Sequence, residues 1–291
     1  MKRASPNSQA DRAPGGMPNT DGMHTKLGEG RQAEILGWTE GTVLKLFRDP
    51  GAHIAAEWEA IATGAAASAC ARAPAVHGVI SFQDRPGLIM DRADGPDVLT
   101  LLRRQPWKLF RAARLLGQLH AEIHGVSAPP ELPGLRVAQR QRIEASGDLP
   151  SHLRRLVLGV LETLPDGDRL CHGDMHPGNI MMSHRGPMVI DWTNARRGHP
   201  AADIARSVLI LDFGAPLPTL PALIHALTRM GRRLFSRAYL RAYRRVRPID
   251  ERLVARWEVV CAADRITEQI EGEKRALLKL LEYHASRLAH R

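Results

Sequence analysis

The stretch from Cys171 to Ala205, CHGDMHPGNIMMSHRGPMVIDWTNARRGHPAADIA, constrains the fold more than any other part of this chain. It contains two short apolar runs, NIMMS and PMVID, separated by the turn HRG, and this arrangement predicts a β-hairpin. Asp174 lies five residues before Asn179, which begins the first run, and Asp191 ends the second. The pattern therefore predicts that adjacent loops present two carboxylates and an amide oxygen.

This set of oxygen ligands suits Mg²⁺, which usually keeps some water and is completed by the phosphates of a substrate. One of the two carboxylates could instead stay free of metal and accept a proton from an attacking hydroxyl. Phosphoryl transfer needs both functions, because metal ions neutralise the charge of the phosphates while a carboxylate orients the nucleophile. The stretch thus indicates phosphoryl-transfer chemistry.

A zinc site built from His172, His176 and His199 is the alternative. The sequence has no HExxH motif in this stretch, and Pro177 and Gly178 follow directly after His176. The first two histidines are therefore expected on a loop and not on one helical face, which disfavours zinc.

If the site transfers phosphate, a phosphate-binding loop and a lysine are expected upstream. LGEGRQA places Gly28 and Gly30 between two predicted strands, where backbone amides can approach phosphate oxygens closely, and Ala33 takes the third small position of the G-x-G-x-x-G pattern. A glycine turn in a hairpin is common by itself. Lys45 strengthens the interpretation, because the alternating run VLKLF would bury its stem and direct its ammonium inward.

Two glutamates of the next predicted helix compete as the partner of Lys45. Glu57 could pair with it and hold it on the α- and β-phosphates of a nucleotide, and Glu59 is the rival. The two glutamates point about 200° apart around a helix, so one of them must lie at the surface. The helical pattern alone leaves the choice open.

The remaining patterns predict an α+β fold. The runs TKLGEG, AEILGW, TVLKLF, VHGVISF and LIMDR predict a five-stranded antiparallel sheet, and residues 53–63 predict one helix beside it. After GPD the sequence changes to long helical patterns such as WKLFRAARLLGQLHAEIH, in which apolar residues recur at three- and four-residue steps. The second part of the chain is therefore expected to be mainly helical.

With these residues in this order, the chain resembles the aminoglycoside phosphotransferase family, small-molecule kinases that include choline, homoserine and methylthioribose kinases. HGDMHPGNI matches the catalytic-loop pattern H-G-D-x-x-x-x-N and VIDW matches the motif of the metal-binding aspartate, and the resemblance covers residues 26 to about 205. It implies a protein-kinase-like fold of two lobes, with ATP and Mg²⁺ as cofactors.

Three segments are expected. Residues 1–23 are rich in Pro, Gly, Asn and Ser and predict a disordered tail. Residues 24–93 are expected to form the N-terminal nucleotide-binding lobe. Residues 94–291 are expected to form the helical C-terminal lobe, with the catalytic loop and the acceptor pocket.

The resemblance also implies roles for the residues of the two motifs. Asp174 is expected to be the catalytic base, and Asn179 and Asp191 are expected to hold Mg²⁺. Lys45 and Glu57 are expected to form the phosphate-binding ion pair.

The adenine is expected near the segment that follows Met90. Asp91, Arg92 and Ala93 would contact it there, largely through backbone groups.

Two further residues are implied in support of the catalytic loop. Asp203 is expected to brace the loop that precedes it, and His172 is expected to pack and to form hydrogen bonds without ligating metal.

The acceptor is expected to be a small molecule, because the chain carries HGD and IDW where eukaryotic protein kinases carry HRD and DFG, and it has no APE-like activation segment. In WEVVCAADRITEQIEGEK, Asp264, Glu268 and Glu271 lie on one predicted helical face and could receive the amines of a cationic, polyhydroxylated acceptor. A solvated acidic stripe balanced by Arg265 and Lys274 is the alternative. A choline-type acceptor would need an aromatic cage, which an aromatic content of 4% disfavours.

The prediction is therefore an ATP-dependent phosphotransferase that acts on a hydroxyl of an aminoglycoside-like or other amino or polyhydroxy small molecule. A metabolic kinase of the choline or homoserine type and a non-catalytic kinase-fold binding protein are the alternatives. The intact Lys45, Asp174, Asn179 and Asp191 argue against the non-catalytic alternative.

The composition of the chain limits the classes of partner that are expected. The formal net charge is +10, but the basic residues are spread through predicted helices without an aromatic platform, so no specific nucleic-acid partner is expected. No apolar run approaches the roughly 18 residues that span a bilayer, and no signal peptide is recognisable, so we expect a cytoplasmic protein without a membrane partner, as a monomer or homodimer. The three cysteines include no CxxC pair and predict no disulfide framework.

Overall fold

The computed structural model describes residues 24–70, 72–214, 222–270 and 272–289, and the predicted tail at 1–23 lies outside them. The α+β class and the division into a sheet-containing N-terminal lobe and a helical C-terminal lobe are confirmed. No helix of the described residues is long and apolar enough to cross a membrane.

The N-terminal lobe contains one antiparallel sheet of five strands in the order β1-β2-β3-β5-β4. Its central strand β3 is almost wholly buried, and Phe47 of this strand packs with Leu88 of β5 against Ala56 of the helix of this lobe. The strands are β1 (Lys26–Glu29), β2 (Ala33–Gly37), β3 (Thr42–Phe47), β4 (Val76–Phe82) and β5 (Arg85–Asp91).

The helix of the N-terminal lobe, α1 (His53–Cys70), runs seven residues beyond the predicted end at 63. The extra turns consist almost entirely of Gly, Ala and Ser, and alanine is the strongest helix former. The hydroxyl of Thr63 donates to the carbonyl oxygen of Glu59 at 2.6 Å, so this β-branched residue is accommodated inside the helix. The buried face of α1 carries Ala56, Glu59, Ala62, Thr63 and Ala66.

The C-terminal lobe combines helices with two short strand pairs and two 3₁₀ turns among the described residues. The predicted hairpin is present as β7 and β8, whereas the pairing of β6 with β9 was not predicted. The helices are α2 (Val98–Arg104), α3 (Leu109–Ile123), α4 (Leu135–Ala145), α5 (Ser151–Glu162), α6 (Pro200–Phe213), α7 (Ala222–Arg244), α8 (Glu251–Ile266) and α9 (Lys274–Ala289); the strands are β6 (Arg169–Cys171), β7 (Ile180–Ser183), β8 (Gly186–Val189) and β9 (Arg196–Gly198); 3₁₀ turns lie at Pro106–Lys108 and Pro177–Asn179.

The core of the C-terminal lobe depends on close contact between α3 and α7. Gly117 of α3 lies so near to α7 that an added Cβ would stand 2.5 Å from the carbonyl oxygen of Tyr239 and 2.9 Å from the Cβ of Ala242. Further toward the start of both helices, Leu109 lies beside Gly231. Because contacting residues follow the same order along both helices, α3 and α7 run in parallel.

We expect Gly117→Ala to lower the free energy of unfolding by about 1–3 kcal/mol, because the added methyl group would force α3 and α7 apart. Gly64→Ala is the matched control, since it also lies inside a helix but an added Cβ would meet no atom within 4 Å. The control should raise the free energy of unfolding by about 0.5–1 kcal/mol. Urea unfolding followed by circular dichroism measures both variants, and effects of the same sign would contradict the packing argument.

Candidate active site

Lys45 is the centre of a buried cluster that joins the two lobes. It lies in the middle of β3, level with Ile35 of β2 and Leu88 of β5. Its Nζ donates to Glu59 Oε1 at 2.7 Å, to Asp191 Oδ1 at 2.7 Å and to Thr193 Oγ1 at 2.9 Å. Burial disfavours the charged amine, but the two carboxylates outweigh this effect and raise the pKa of Lys45 above its usual value.

The predicted pair between Lys45 and Glu57 is wrong, because Glu59 occupies that position. The side chain of Glu59 is 1% exposed on the face of α1 that packs on the sheet, whereas Glu57 is exposed. The rotation of α1 about its axis decides which of the two glutamates faces Lys45. That rotation places Ala56 against Phe47 and Leu88 of the sheet, and Ala62 and Ala66 in the core shared with the C-terminal lobe.

Asp191 stands two residues after the end of β8 and has a backbone φ of +63°, in the left-handed region that non-glycine residues rarely adopt. This bend turns the carboxylate from the hairpin toward Lys45. Burial opposes ionisation, but the Lys45 ammonium lowers the pKa of Asp191 below its usual value. The side chain remains 46% exposed, and its Oδ2 has no hydrogen-bond donor among the described residues.

Asp174 and Asn179 lie on one loop between β6 and β7. Asn179 Nδ2 donates to the backbone oxygen of Asp174 at 2.9 Å and to its Oδ2 at 3.3 Å. The backbone N–H of Ile190 donates to the carbonyl of Asn179 at 3.0 Å, which attaches the Asp191 bend to this loop. Asp174 is near enough to Asp191 that its charge acts to raise the pKa of that residue. The structure therefore brings together Asp174, Asn179 and Asp191, as the sequence predicted.

The carboxyl of Asp174 is held in its ionised form. Burial opposes ionisation, but the nearby His176 and the Arg206 guanidinium lower the pKa of Asp174 well below its usual value. The Nε2 of His176 stands 3.6 Å from Asp174 Oδ2, while its Nδ1 accepts the backbone N–H of Gly178 at 3.0 Å. Arg206 itself donates to the carbonyl of Gly173, next to Asp174.

Asp203 accepts hydrogen bonds from two backbone N–H groups of the loop that carries Asp174. Its Oδ2 accepts the backbone N–H of His172 at 2.5 Å and its Oδ1 accepts that of Gly173 at 2.9 Å. Gly173 has a φ of +78°, and an added Cβ would stand 2.4 Å from the carbonyl oxygen of Asn194, so only glycine fits this position.

Two histidines of α3 complete the surroundings of Asp203. The Nε2 atoms of His120 and His124 lie 3.1 and 3.2 Å from Asp203 Oδ2, and their Nδ1 atoms lie 2.8 Å from the hydroxyls of Tyr239 and Tyr243. Both tyrosines belong to α7. Burial and the neighbouring His120 lower the pKa of His124 to about 4, so His124 is neutral and donates through Nε2–H while Nδ1 accepts from Tyr243.

These three side chains, His120, His124 and Asp203, are also the one group in the described part of the chain whose ligand atoms are close enough for a shared metal ion. Every one of the four imidazole nitrogens already has a hydrogen-bond partner. A hydrogen-bonded network therefore accounts for the cluster without a metal. The zinc set of His172, His176 and His199 does not form such a group among the described residues.

His172 packs and forms hydrogen bonds, as expected. Its ring lies 4.6 Å from that of Trp192, its Nε2 lies 3.1 Å from the carbonyl of Ile190, and its Nδ1 accepts the N–H of Asp174 at 3.2 Å. The ring thus connects the catalytic loop to the residue before Asp191.

The glycine loop lies in the same row of the sheet as Lys45. Gly28 pairs with Ile35, which in turn pairs with Lys45. Gly30 donates its N–H to the carbonyl of Ala33 at 2.8 Å. An added Cβ at Gly28 would meet no atom within 4 Å and one at Gly30 only the Ala33 oxygen at 3.9 Å, so the protein leaves open space over both glycines.

The segment proposed to face adenine closes β5 and leads into the second lobe. Asp91 accepts hydrogen bonds from His77 at 2.8 Å and Arg185 at 2.9 Å; burial opposes its ionisation, but these donors lower its pKa. The N–H groups of Asp91 and Arg92 donate to the carbonyls of Ala75 and Gly41, both at 2.9 Å. Met90 pairs with Val43 of β3 and Val76 of β4, and Ala93 follows β5.

The acidic face predicted for the acceptor is largely neutralised by arginines. Asp264 is 1% exposed and forms a bidentate pair with Arg142, at 2.6 and 2.8 Å. Arg206 contacts both Asp264 and Glu268. Asp264 is therefore not available to receive an amine of a ligand directly, which corrects its predicted role. Glu271 lies outside the described residues.

Sequence reasoning missed Thr193, Arg206 and the two histidines of α3. Thr193 follows the IDW motif and donates to Glu59 Oε2 or Asp191 Oδ1, each at 2.8 Å. Arg206 stands three residues after Asp203, so it lies on the same face of α6 and could have been suspected from that spacing. His120 and His124 carry the same signal, an i,i+4 pair on the apolar face of a predicted helix.

The model of the phosphotransferase enzyme family matches residues 29–249. No curated protein sequence matches the chain.

Several solved structures share the fold. A thermostable mutant of aminoglycoside phosphotransferase APH(4)-Ia is 14% identical, with a TM-score of 0.59 over 92% of this chain and 94% of that chain. An aminoglycoside-3'-phosphotransferase of type VIII is 20% identical, with a TM-score of 0.58 over 82% and 92%. Amicoumacin kinase hAmiN, solved with AMP-PNP and Ca²⁺, is 16% identical, with a TM-score of 0.57 over 89% and 86%. These likenesses establish a common fold with kinases of small molecules.

The buried His124 predicts that stability falls in mild acid. The pKa of His124 is about 4 when folded, below the ordinary value of 6.5, so the unfolded chain takes up the proton first. Its contribution to stability is complete above pH 6.5 and decreases by about 2–3 kcal/mol as the pH falls toward 4. His124→Gln removes this titration and should make the decrease shallower. Urea unfolding across that pH range measures the slope, and exposed His184→Gln should keep the slope of the parent protein.

Proposed function

The chain belongs to the phosphotransferase enzyme family, as its motifs predicted, and we propose that it transfers the γ-phosphate of Mg-ATP to a hydroxyl of a small molecule. The observation that carries the proposal is the convergence of four groups on one cleft. An ionised Asp174 lies next to Asn179 and Asp191, and Lys45 donates to Asp191 from the sheet above.

The nucleotide would bind between the sheet and the catalytic loop. The open space over Gly28 and Gly30 suits phosphate oxygens, and Lys45 supplies the charge that binds them. Glu59 and Thr193 would keep the Lys45 ammonium in place. Nucleotide complexes of related folds, such as hAmiN with AMP-PNP, support ATP as the donor.

The adenine would contact the segment from Met90 to Ala93. The N–H groups of Asp91 and Arg92 already donate to backbone carbonyls. We therefore assign the adenine's backbone donor to the N–H of Ala93.

The residues present fit a magnesium ion. Asn179 uses its Nδ2 as a donor to Asp174, which leaves its Oδ1 free, and Asp191 Oδ2 has no protein donor among the described residues. These two oxygens would hold Mg²⁺, which when bound neutralises charge on the phosphates.

Asp174 is the proposed catalytic base. The acceptor hydroxyl would pass its proton to the Asp174 carboxylate while its oxygen forms a bond to the γ-phosphorus, and the bond from that phosphorus to the β,γ-bridging oxygen breaks, releasing ADP. A carboxylate that stays ionised at neutral pH is always ready to accept that proton. Asp203 and Arg206 hold its loop from behind, and neither touches the reacting atoms in this scheme.

A polyhydroxylated acceptor suits the site better than a polycation. A polycation would require free carboxylates on α8 and in the turn that follows it, but Asp264 and Glu268 are bound by Arg142, Arg206 and Arg265. Hydroxyl-rich ligands need hydrogen bonds more than free negative charge. Glu268, which lies in the turn after α8 and whose side chain is 20% exposed, remains the proposed contact for such a ligand.

A metabolic kinase of the homoserine type is the second candidate, and one observation favours it. Arg142 is 38% exposed beside this region, and Arg196 has no acidic partner among the described residues. Repulsion from Arg142 adds to burial in lowering the pKa of Arg196 to about 10, so an anionic group of a ligand would relieve an unfavourable charge. A carboxylate-bearing acceptor meets this condition, whereas choline does not.

We expect Asp174→Asn to keep the fold and ATP binding while it lowers turnover by roughly 10² to 10⁴. The assay is Mg-ATP-dependent release of ADP with a panel of polyols, amino sugars, aminoglycosides, choline and homoserine. Release that depends on the acceptor and vanishes in the variant supports the proposal and names the acceptor class. Turnover that survives Asp174→Asn would refute the base.

Glu59→Gln should weaken phosphate positioning, because Lys45 would lose the carboxylate that balances its charge beside Asp191. We expect kcat/KM for ATP to fall by about 10- to 10²-fold, and folding stability to fall by about 1–3 kcal/mol. Glu57→Gln, on the exposed side of the same helix, removes the same charge and should change neither. Steady-state kinetics with varied ATP compare the two, and equal losses would restore Glu57 as a partner.

A further inference from the structure

The positive charge of the chain is concentrated on two neighbouring elements. Residues 98–121 contain five Lys or Arg residues and no Asp or Glu, and residues 222–249 contain eight arginines and again no acid. The whole chain has a net charge of +10, so the remainder is net negative. The first segment includes α2 and most of α3, and the second includes α7, which packs on α3 in parallel.

A groove runs between α3 and α7 on the outside of the molecule. It is lined by Phe110 and Arg114 from α3 and by Leu234, Arg237, Arg241 and Arg245 from α7. All four of these arginines are exposed, and none forms an ion pair with an acidic side chain of the described residues. Asp212, which lies near Arg237, accepts a hydrogen bond from Ser236 instead.

Five exposed apolar side chains lie toward one end of this groove. Trp107 is 74% exposed and Phe110 60%, at the start of α3. On α7, Leu227, Met230 and Leu234 are 52%, 54% and 39% exposed and follow one another at three- and four-residue steps. On α7 the same stripe continues into Arg237, Arg241 and Arg245, so the apolar part of this helix face is followed by a cationic part.

We propose that this face docks on the surface of an anionic lipid membrane. A bilayer surface offers both kinds of partner at once, because its phosphates can pair with arginine guanidiniums while the apolar side chains enter the boundary with the acyl chains. Tryptophan is favoured at that boundary. The attachment is peripheral, which agrees with the lack of a membrane-crossing helix among the described residues.

The side chains at the apolar end favour lipid over nucleic acid as the partner. Binding to single-stranded nucleic acid uses aromatic faces on which bases stack. Three of the five exposed apolar side chains here are aliphatic and offer no such face. This proposal departs from the expectation, drawn from composition, that the protein has no membrane partner.

The experiment is co-sedimentation of the full chain with vesicles of phosphatidylcholine, with and without phosphatidylglycerol, at low and at physiological ionic strength. The groove variant replaces Arg237, Arg241 and Arg245 with Gln, and the matched control replaces exposed Arg155, Arg197 and Arg275 with Gln, so both lose the same charge. A third variant carries Trp107→Ser and Phe110→Ser, with exposed Ile54→Ser and Val137→Ser as its control. Thermal unfolding verifies that each variant is folded.

We expect binding only to vesicles that contain phosphatidylglycerol, weakened roughly 10²-fold in the groove variant and much less in its control. The Trp107 and Phe110 variant should lose the part of the binding that persists as salt is raised. No binding to anionic vesicles at low ionic strength would overturn the proposal. Equal losses of binding in the two arginine variants would overturn the proposal in favour of non-specific electrostatic attraction. Displacement of the vesicles by duplex or single-stranded RNA, through the same arginines, would reassign this face to nucleic acid. None of these outcomes depends on kinase activity.

Discussion

The buried carboxylate of Asp203 is the interaction on which the rest of the catalytic lobe depends. An isolated charge in the interior is costly, and here four N–H donors, two from the catalytic loop and two from α3, offset that cost. The loop therefore cannot move independently of α3. Because His120 and His124 are held in turn by Tyr239 and Tyr243, the register of α7 is set by the same charge.

A second charge, the ammonium of Lys45, joins the lobes and prepares the site for its ligands. Lys45 is shared between Glu59 of the N-terminal lobe and Asp191 of the C-terminal lobe, so the two lobes are fixed to each other at the point where a nucleotide would enter. The left-handed backbone at Asp191 costs on the order of 1–3 kcal/mol, and the ion pair with Lys45 and the bond from Ile190 to Asn179 compensate for it. Strain held in this way directs one carboxylate oxygen at the lysine and leaves the other exposed.

Sequence patterns sufficed for the parts of the site that are local in the chain. The hairpin, the loop with Asp174 and Asn179, and the strand of Lys45 each follow from short motifs, and the structure contains all of them. The choice between Glu57 and Glu59 depended on the rotation of α1, which is decided by packing on the sheet and not by helical periodicity. The acidic face of α8 was misjudged for a similar reason, since its partner Arg142 comes from a helix more than one hundred residues earlier.

The net charge of the chain is a poor guide to where its unpaired positive charge lies. Around the catalytic loop, arginines and carboxylates pair closely, so that Arg142, Arg206 and Arg265 are largely balanced by Asp264, Glu268 and Glu273. These ion pairs hold the structure together, and because they neutralise one another they leave little net electrostatic potential for a ligand. In the groove between α3 and α7, the exposed Arg114, Arg237, Arg241 and Arg245 form no ion pair with an acidic side chain of the described residues, and exposed apolar side chains lie beside them. The net charge of +10 therefore has two parts. One belongs to an interior network of paired charges that specifies the fold, and the other belongs to an exterior surface whose arginines are free to bind a partner.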